Sequence, residues 1–285
     1  MTRVKLLGRP QTEDPGMHVT AALQTGLGRV APPPAPTAVR VVVATERRTR
    51  ERNEDAAGVA GWVLSADSAP PLDIRIPLDG PLPLLVAVVD GLGGHAAGHV
   101  AAGIAAGELT RPAILNAEAG PSAPPSLARL VAEAFTRADA IIHGRAVGPA
   151  VAMGCTAALL AIRAGGASAV GNVGDVRVCQ VRDGYAGVLS VEDRPATDEG
   201  NPGMVTACLG GSYRHHIDPH VHELSLAVGD RLVLCSDGVH DELDNDAMGA
   251  LAVGDAAYAA RAIIAATEPG GQGDNATVAI VDAIA

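Results

Sequence analysis

The chain has 285 residues, 48% of them hydrophobic, which is enough for a sizeable core and too apolar for wholesale disorder. Only Trp62, Phe135, Tyr185, Tyr213 and Tyr258 are aromatic and the net charge is −11, so base stacking on nucleic acid and binding to an anionic membrane are both disfavoured. The single lysine, Lys5, excludes a Walker A loop, a kinase strand lysine and a Schiff-base lysine unless the N-terminal stretch enters a site.

Residues 1–37 read as a disordered tail that ends in the stiff run Ala31-Pro-Pro-Pro-Ala-Pro36, and residues 38–285 as the folded domain. Val41 to Ala44 reads as a strand, with Ala56 to Ala60 as its hairpin partner. Trp62 to Pro83 carries five prolines and reads as an irregular insertion, with a short strand at Ile74 to Ile76. Leu84 to Val89 is continuously apolar, hence a strand buried on both faces. A small-residue helix follows over Ala97 to Leu109. The clearest helix spans Ser126 to His143: Leu127, Leu130, Val131, Ala134, Phe135, Ala138, Ile141 and Ile142 recur on one face, and Ser126 is the N-cap.

Four strands then follow closely, Cys155–Arg163, Ser168–Asn172, Val176–Arg182 and Gly187–Val191, and the short links predict an antiparallel meander. Later strands are expected at Val221–Leu226, Leu232–Cys235 and Ala276–Val281, with two small helices near Ala247–Leu251 and Ala256–Ala266. The class is α+β: a four-layer α-β-β-α sandwich of two antiparallel sheets flanked by helices. No internal repeat is visible.

The cysteines, Cys155, Cys179, Cys208 and Cys235, have no C-x-x-C spacing and read as reduced thiols in a cytoplasmic protein. Residues 1–16 hold no signal-peptide apolar region, and no stretch is long and apolar enough to cross a bilayer.

Two apolar strands end alike, in Asp90-Gly91 and in Asp237-Gly238. Asp-Gly alone is a common turn. More acids occupy similar frames, however: Asp274 after Gly270-Gly-Gln-Gly273, Asp175 after Gly174, and Glu54-Asp55 before a strand. Carboxylates converging at sheet ends raise one another's pKa, and hard divalent cations relieve this, with oxygen ligands selecting Mg²⁺ or Mn²⁺. Arg47, Arg48, Arg50 and Arg52 lie just before Glu54. A guanidinium fork beside such a centre suits phosphate, and Arg50 is singled out, the other three reading as an exposed loop. Cys208 to Arg214 fits C-x5-R without a preceding His, and His215, His216, His220 and His222 fit no usual zinc spacing.

Taken in order, Arg50-x-x-x-Glu54-Asp55, Asp90-Gly-Leu-Gly-Gly-His95, Gly154-Cys-Thr156, Gly171-Asn-Val-Gly-Asp175-x-Arg177, Ser236-Asp237-Gly238 and Asp274-Asn-Ala-Thr277 resemble the successive motifs of the PPM family. These are the metal-dependent, type 2C serine/threonine protein phosphatases, here of the bacterial branch. The resemblance runs from about Val39 to the C-terminus. It implies phosphomonoester hydrolysis by a hydroxide bridging two Mg²⁺ or Mn²⁺ ions, with a third ion possible. Asp90 would bridge both ions, with the Gly91 carbonyl as a further ligand. Asp237 and Asp274 would complete one shell, and Glu54 or Asp55 would serve the other ion. Asp175 matches a third-ion position, and Arg50 the substrate-phosphate clamp. Implied partners are phosphorylated proteins made by serine/threonine kinases, met by a monomer with no nucleic acid or membrane involved. The alternative is a non-catalytic sensor that binds metal or phosphoprotein. The chain departs from the family pattern in four places, one being Gly174-Asp175-Val176-Arg177, where Gly-Asp-Ser-Arg is common. Glu192-Asp193-Arg194 stands where Asp-His is usual, Leu92 stands where some relatives have His, and the segment from Pro195 to Met204 is short.

Overall fold

The computed structural model describes residues 33–68, 70–92, 97–111, 126–147, 152–195, 204–211, 216–267 and 273–285. The strands are β1 (Ala38–Glu46), β2 (Ala56–Val59), β3 (Trp62–Leu64), β4 (Leu72–Pro77), β5 (Leu84–Gly91), β6 (Gly154–Ile162), β7 (Ala167–Val173), β8 (Arg177–Arg182), β9 (Tyr185–Val188), β10 (Leu209–Gly210), β11 (His220–Ser225), β12 (Arg231–Cys235) and β13 (Ala276–Ile284). The helices are α1 (Gly98–Leu109), α2 (Leu127–Arg145), α3 (Asp237–His240), α4 (Asn245–Leu251) and α5 (Ala256–Ala266). One sheet runs β4-β1-β13-β12-β8-β9. The other runs β11-β7-β6-β5-β2-β3, with β10 added to β6. Every pairing is antiparallel.

Alternation along the strands builds three apolar layers. In β5, Leu84, Val86 and Val88 point between the sheets and meet Val41, Val43, Leu232, Leu234 and Val281. Leu85, Ala87 and Val89 point the other way, against Ala101, Ala105 and Leu109 of α1 and Phe135 of α2. On the far side, Val42, Val233 and Ile280 pack under Ala260 and Ile263 of α5. This explains the unbroken apolar runs, since both faces of each central strand are covered. Each fully buried Val, Leu or Ile contributes roughly 1.5–3 kcal/mol. The helix starts are capped locally: Ser126 Oγ accepts from Arg129 N, Asp244 from Ala247 N and Asp255 from Tyr258 N.

Two expected pairings are corrected. β2 is not the hairpin partner of β1: β13 and β4 occupy both edges of β1, and β2 pairs with β3 and β5 in the other sheet. The stretch from β6 to β9 is not a meander either. β7 is already flanked by β6 and β11, so the chain crosses at 174–176 and β8 joins β12 and β9 in the opposite sheet. The insertion is more regular than expected, since β4 is a full edge strand paired with β1 from Ala38↔Pro77 to Val43↔Leu72. The one-turn helix α3 was not expected.

The compact unit runs from Pro34 to Ala285. Pro34 O accepts from Val228 N at 2.9 Å and Thr37 N donates to Ile284 O at 3.0 Å, so the chain is engaged before β1 begins. The expected tail, in its residues 1–32, lies outside the described residues, as do His95, Arg214, His215 and Gly270 to Gln272. Among the described residues no helix is long and apolar enough to cross a membrane.

Candidate active site

The strand registers bring the singled-out acids to one end of the sandwich. Ala56 pairs with Val89, Asp90 with Thr156, and Ala157 with Val173, so the start of β2, the end of β5 and the end of β7 are adjacent. In the facing sheet Glu46 pairs with Ala276, and Cys235 with both Val278 and Arg177. Asp55, Asp90, Asp175, Asp237 and Asp274 therefore leave five strand ends on the same side. Two of the sheet-to-sheet crossings, 47–55 and 174–176, lie at this end.

Two glycines permit the close approach. A Cβ at Gly91 would strike the Glu54 carbonyl oxygen and the Gly98 backbone, and one at Gly238 would strike the Asn275 carbonyl oxygen. The first contact lets the 47–55 crossing lie against β5, and the second lets the Asp237 turn lie against the Asp274 turn.

A buried polar network fixes the 47–55 crossing. Asn275 Nδ2 donates to Arg47 O and Arg52 O at 2.9 and 3.0 Å, and its Oδ1 accepts from Glu54 N at 2.8 Å. Asn53 Nδ2 donates to Thr45 Oγ1 at 2.7 Å, and Thr45 meets Thr277 Oγ1 at 2.7 Å. Ser236 Oγ accepts from Thr277 N and donates to Asp55 Oδ2 at 2.8 Å. Sequence reasoning quoted Ser236, Asn275 and Thr277 only as parts of motifs. It gave no role to Asn53, although a polar residue beside Glu-Asp was a usable signal.

The carboxyls perturb one another. Burial pushes Asp55 up to about 7, against the Thr277 and Ser236 hydroxyls, while Asp237 and Asp274 push it further up. Burial, followed by Asp175 and Asp274, pushes Asp237 up to about 6. Burial, then the charges of Asp237, Asp55 and Asp175, hold Asp90 well above the carboxylate range, and a hydrogen bond with Asp237 adds to this. Glu54 is also raised by burial, opposed by the charges of His99, Arg52 and Arg50.

The arginines divide. Arg50 Nη2 lies 2.5 Å from Asp274 Oδ2 on the exposed rim. Arg47 stitches its own loop, donating to Arg50 O at 2.7 Å, and Arg52 lies 3.1 Å from the His99 ring. Arg47 and Arg48 are half-buried, so the reading of the three neighbours as an exposed, solvated loop is corrected for these two. A further cation, Arg194, was seen only as a departure from the family pattern. Its fork contacts Asp175 Oδ2 at 3.0 and 3.1 Å and both Asp241 oxygens at 2.9 and 3.1 Å. Burial opposes it, but hydrogen bonds from His240 and Arg194 hold Asp241 down at about 2.

The donor set suits divalent cations at Asp55, Asp90 and Asp237. Asp55 Oδ1 is buried without a hydrogen-bond donor, and the raised carboxyls are those that a hard cation would bring back to the ionised form. Among the described residues no three acidic, His or Cys side chains are already gathered closely enough to hold an ion; Asp274 is paired with Arg50 and Asp175 with Arg194. Asp274 is held on the rim by Arg50 at Oδ2 and by the amide of its neighbour Asn275, 2.8 Å from Oδ1. Asp175 already carries a cation, the half-buried Arg194 fork, on its Oδ2 and does not fit a further ion. Cys208 is half-buried and its thiol is pushed up by burial, then by Asp139, which is the opposite of what a thiolate nucleophile requires.

Comparison with known proteins gives the family. The family model described as Protein phosphatase 2C matches residues 78–263. Serine/threonine protein phosphatase PstP of Mycobacterium tuberculosis is 29% identical over 216 residues, which is 70% of this chain and 40% of that protein, so the chain spans less than half the length of the curated relatives it matches. The crystal structure of the Mycobacterium tuberculosis serine/threonine phosphatase PstP/Ppp superimposes with a TM-score of 0.65 at 26% identity, covering 87% of this chain and all of that one. The catalytic domain of PstP in complex with two manganese ions gives 0.64 at 25%, with the same coverage. The S. agalactiae serine/threonine phosphatase, at 22% identity and a TM-score of 0.67, supports the fold alone. With its fold and most of its length matched in this way, the chain belongs to the protein phosphatase 2C family.

Proposed function

We propose that this chain is a metal-dependent protein serine/threonine phosphatase that hydrolyses phosphomonoesters. The observation that carries the reading is that Asp55, Asp90 and Asp237 come to the same end of the two sheets, where burial raises all three carboxyls, with Arg50 paired to Asp274 at their rim. Two divalent ions, Mg²⁺ or Mn²⁺, supply when bound the charge neutralisation and the lowered water pKa that attack on phosphorus needs. Asp90 and Asp237 lie close enough to share a hydrogen bond; Asp90 would serve both ions, with Asp237 and Asp274 completing one shell, Asp55 serving the other ion and the Gly91 backbone beside them. Asp55 rather than Glu54 is the inner ligand, because Asp55 lies in the acidic cluster and Glu54 feels the charges of His99, Arg52 and Arg50. Arg50 would leave Asp274 for the substrate phosphate, where its planar fork matches two oxygens.

Protein substrates fit the surroundings. A cavity of about 400 Å³ is lined by Asp139, Asp193, Thr206, Cys208, His216 and His220. Asp193 is bonded to Gly174, next to Asp175, which links the cavity to the acidic end. Chain flanking a phosphoserine or phosphothreonine would lie there. The substrates would be products of serine/threonine kinases, and the protein would act as a monomer in signalling within the cytoplasm, where its free cysteines stay reduced. The folded domain is proposed to begin at Pro34.

The test is hydrolysis of a small aryl phosphate with Mn²⁺ and with excess chelator, followed by phosphoserine, phosphothreonine and phosphotyrosine peptides. Turnover that needs the metal and prefers the first two peptides is expected. Absence of turnover with Mn²⁺ bound would instead make the chain a non-catalytic binder.

A further inference from the structure

Arg194 is placed unlike the other arginines of the site. Its side chain is largely covered, and Asp175 beneath it is 3% exposed. Four of its contacts are charge-assisted: Nε and Nη2 to Asp175 Oδ2, and Nη1 and Nη2 to the two oxygens of Asp241. Nη2 is also 4.0 Å from Asp237 Oδ2. A guanidinium has five N–H groups, so a fork engaged this fully has little left for a substrate phosphate. Its position is imposed from both sides. The preceding residue, Asp193, donates its amide to Gly174 O at 2.9 Å and accepts from Gly174 N at 2.8 Å, which laces 193–194 to 174–175. Behind Asp175, His240 Nε2 meets its carbonyl oxygen at 2.9 Å.

We infer that Arg194 is a resident cation that holds Asp175 and Asp241 where a divalent ion would otherwise bind, so that this chain takes up two exchangeable divalent ions and no third. The inference rests on the two-ion reading above. A divalent ion at Asp175 would meet a guanidinium already 3.0 Å from the Oδ2 of the same carboxylate, and two cations so close repel strongly in a part-buried site. A guanidinium cannot give up its proton to relieve this. Asp237, at the outer limit of ion pairing, stays available to the ions on its other side.

Titration calorimetry of the full chain with Mn²⁺ at pH 7.5, after chelator removal, tests the inference. Wild type should bind two ions. Arg194→Ala should bind a third about tenfold or more weakly than the others, and adding Asp175→Asn to that variant should return the count to two. Arg194→Lys should keep the count at two. In chelator, Arg194→Ala should melt below wild type and recover on adding Mn²⁺. Three ions on wild type, or two on folded Arg194→Ala, would overturn the inference and leave the two-ion reading intact; no ion on wild type would overturn both. Should Arg194→Ala fail to fold, the wild-type and Arg194→Lys titrations still decide it, since a third ion on either contradicts a resident cation.

Discussion

Replacing Asp55 by asparagine keeps the shape of the side chain and removes one buried charge. In the folded protein its carboxyl is pushed up to about 7 by burial, from an ordinary 3.8. A raised carboxyl contributes stability that is fully present below its unfolded pKa and is lost as pH rises through the folded value, here from about 4 to about 7. At pH 8 the ionised form therefore costs up to about 4 kcal/mol in the metal-free protein. The asparagine Oδ1 can still accept from Ser236, but its amide replaces an oxygen that has no donor and leaves a buried N–H unpaired, at about 1–3 kcal/mol. The expected net gain at pH 8 is about 1–3 kcal/mol, a rise of roughly 2–10 °C in melting temperature. At pH 4.5 the wild-type carboxyl is already protonated, so the gain should vanish or reverse. Circular-dichroism melts in chelator at both pH values measure this. Added Mn²⁺ should invert the order at pH 8, because only wild type keeps all its ligands. An Asp55→Asn protein less stable than wild type at pH 8 in chelator, or a shift of equal size at both pH values, would refute the electrostatic account.

Asp90→Asn, Asp237→Asn and Asp274→Asn should each lower the rate of aryl phosphate hydrolysis at least about a hundredfold; near-normal rates for any two would remove the acidic cluster from the chemistry. Arg50→Ala should raise KM and lower kcat, with partial rescue by Arg50→Lys, and should bind Mn²⁺ somewhat more tightly because Asp274 loses its competing partner; wild-type kinetics would end the phosphate-clamp assignment. Cys208→Ser should leave turnover unchanged, since the thiol is raised rather than activated; complete loss of activity in a folded variant would promote a thiolate mechanism. A chain starting at Pro34 should fold and keep its rate, whereas one starting at Ala38 loses the Pro34 and Thr37 backbone bonds and should melt lower; equal melting of the two would show those bonds to be dispensable.

Local signals carried far in the sequence, and they failed where a choice between sheets was needed. Leu84 to Val89 could be read as doubly buried because its apolar run has no polar alternation. The 126–143 helix could be read from its period and its serine cap. The errors at Ala56 and at Val176 have one cause. Short links favour hairpins, but a link of the same length can also step from one sheet to the facing one, and only long-range pairing decides which. β1 finds its partners in β13, over two hundred residues away, and in β4, neither of which a local rule can weigh.

Those same unforeseen crossings make the site. A hairpin would have returned Asp175 to the sheet it came from, and a β1–β2 hairpin would have kept Asp55 away from β5. Because the chain steps across at both places, carboxylates from the two sheets face each other over the end of the sandwich, and each is raised by the others. Acidic residues at strand ends were visible in the sequence, but their mutual distance was not, since it depends on which sheet each strand joins. Arg194 shows the limit most clearly. In the sequence it stands out only as part of Glu192-Asp193-Arg194, a departure from the family pattern, and only the clamp between Asp193 and Gly174 delivers its charge to Asp175. Cations that neutralise this end thus come from two sources: one is encoded in the chain, and the others must be bound.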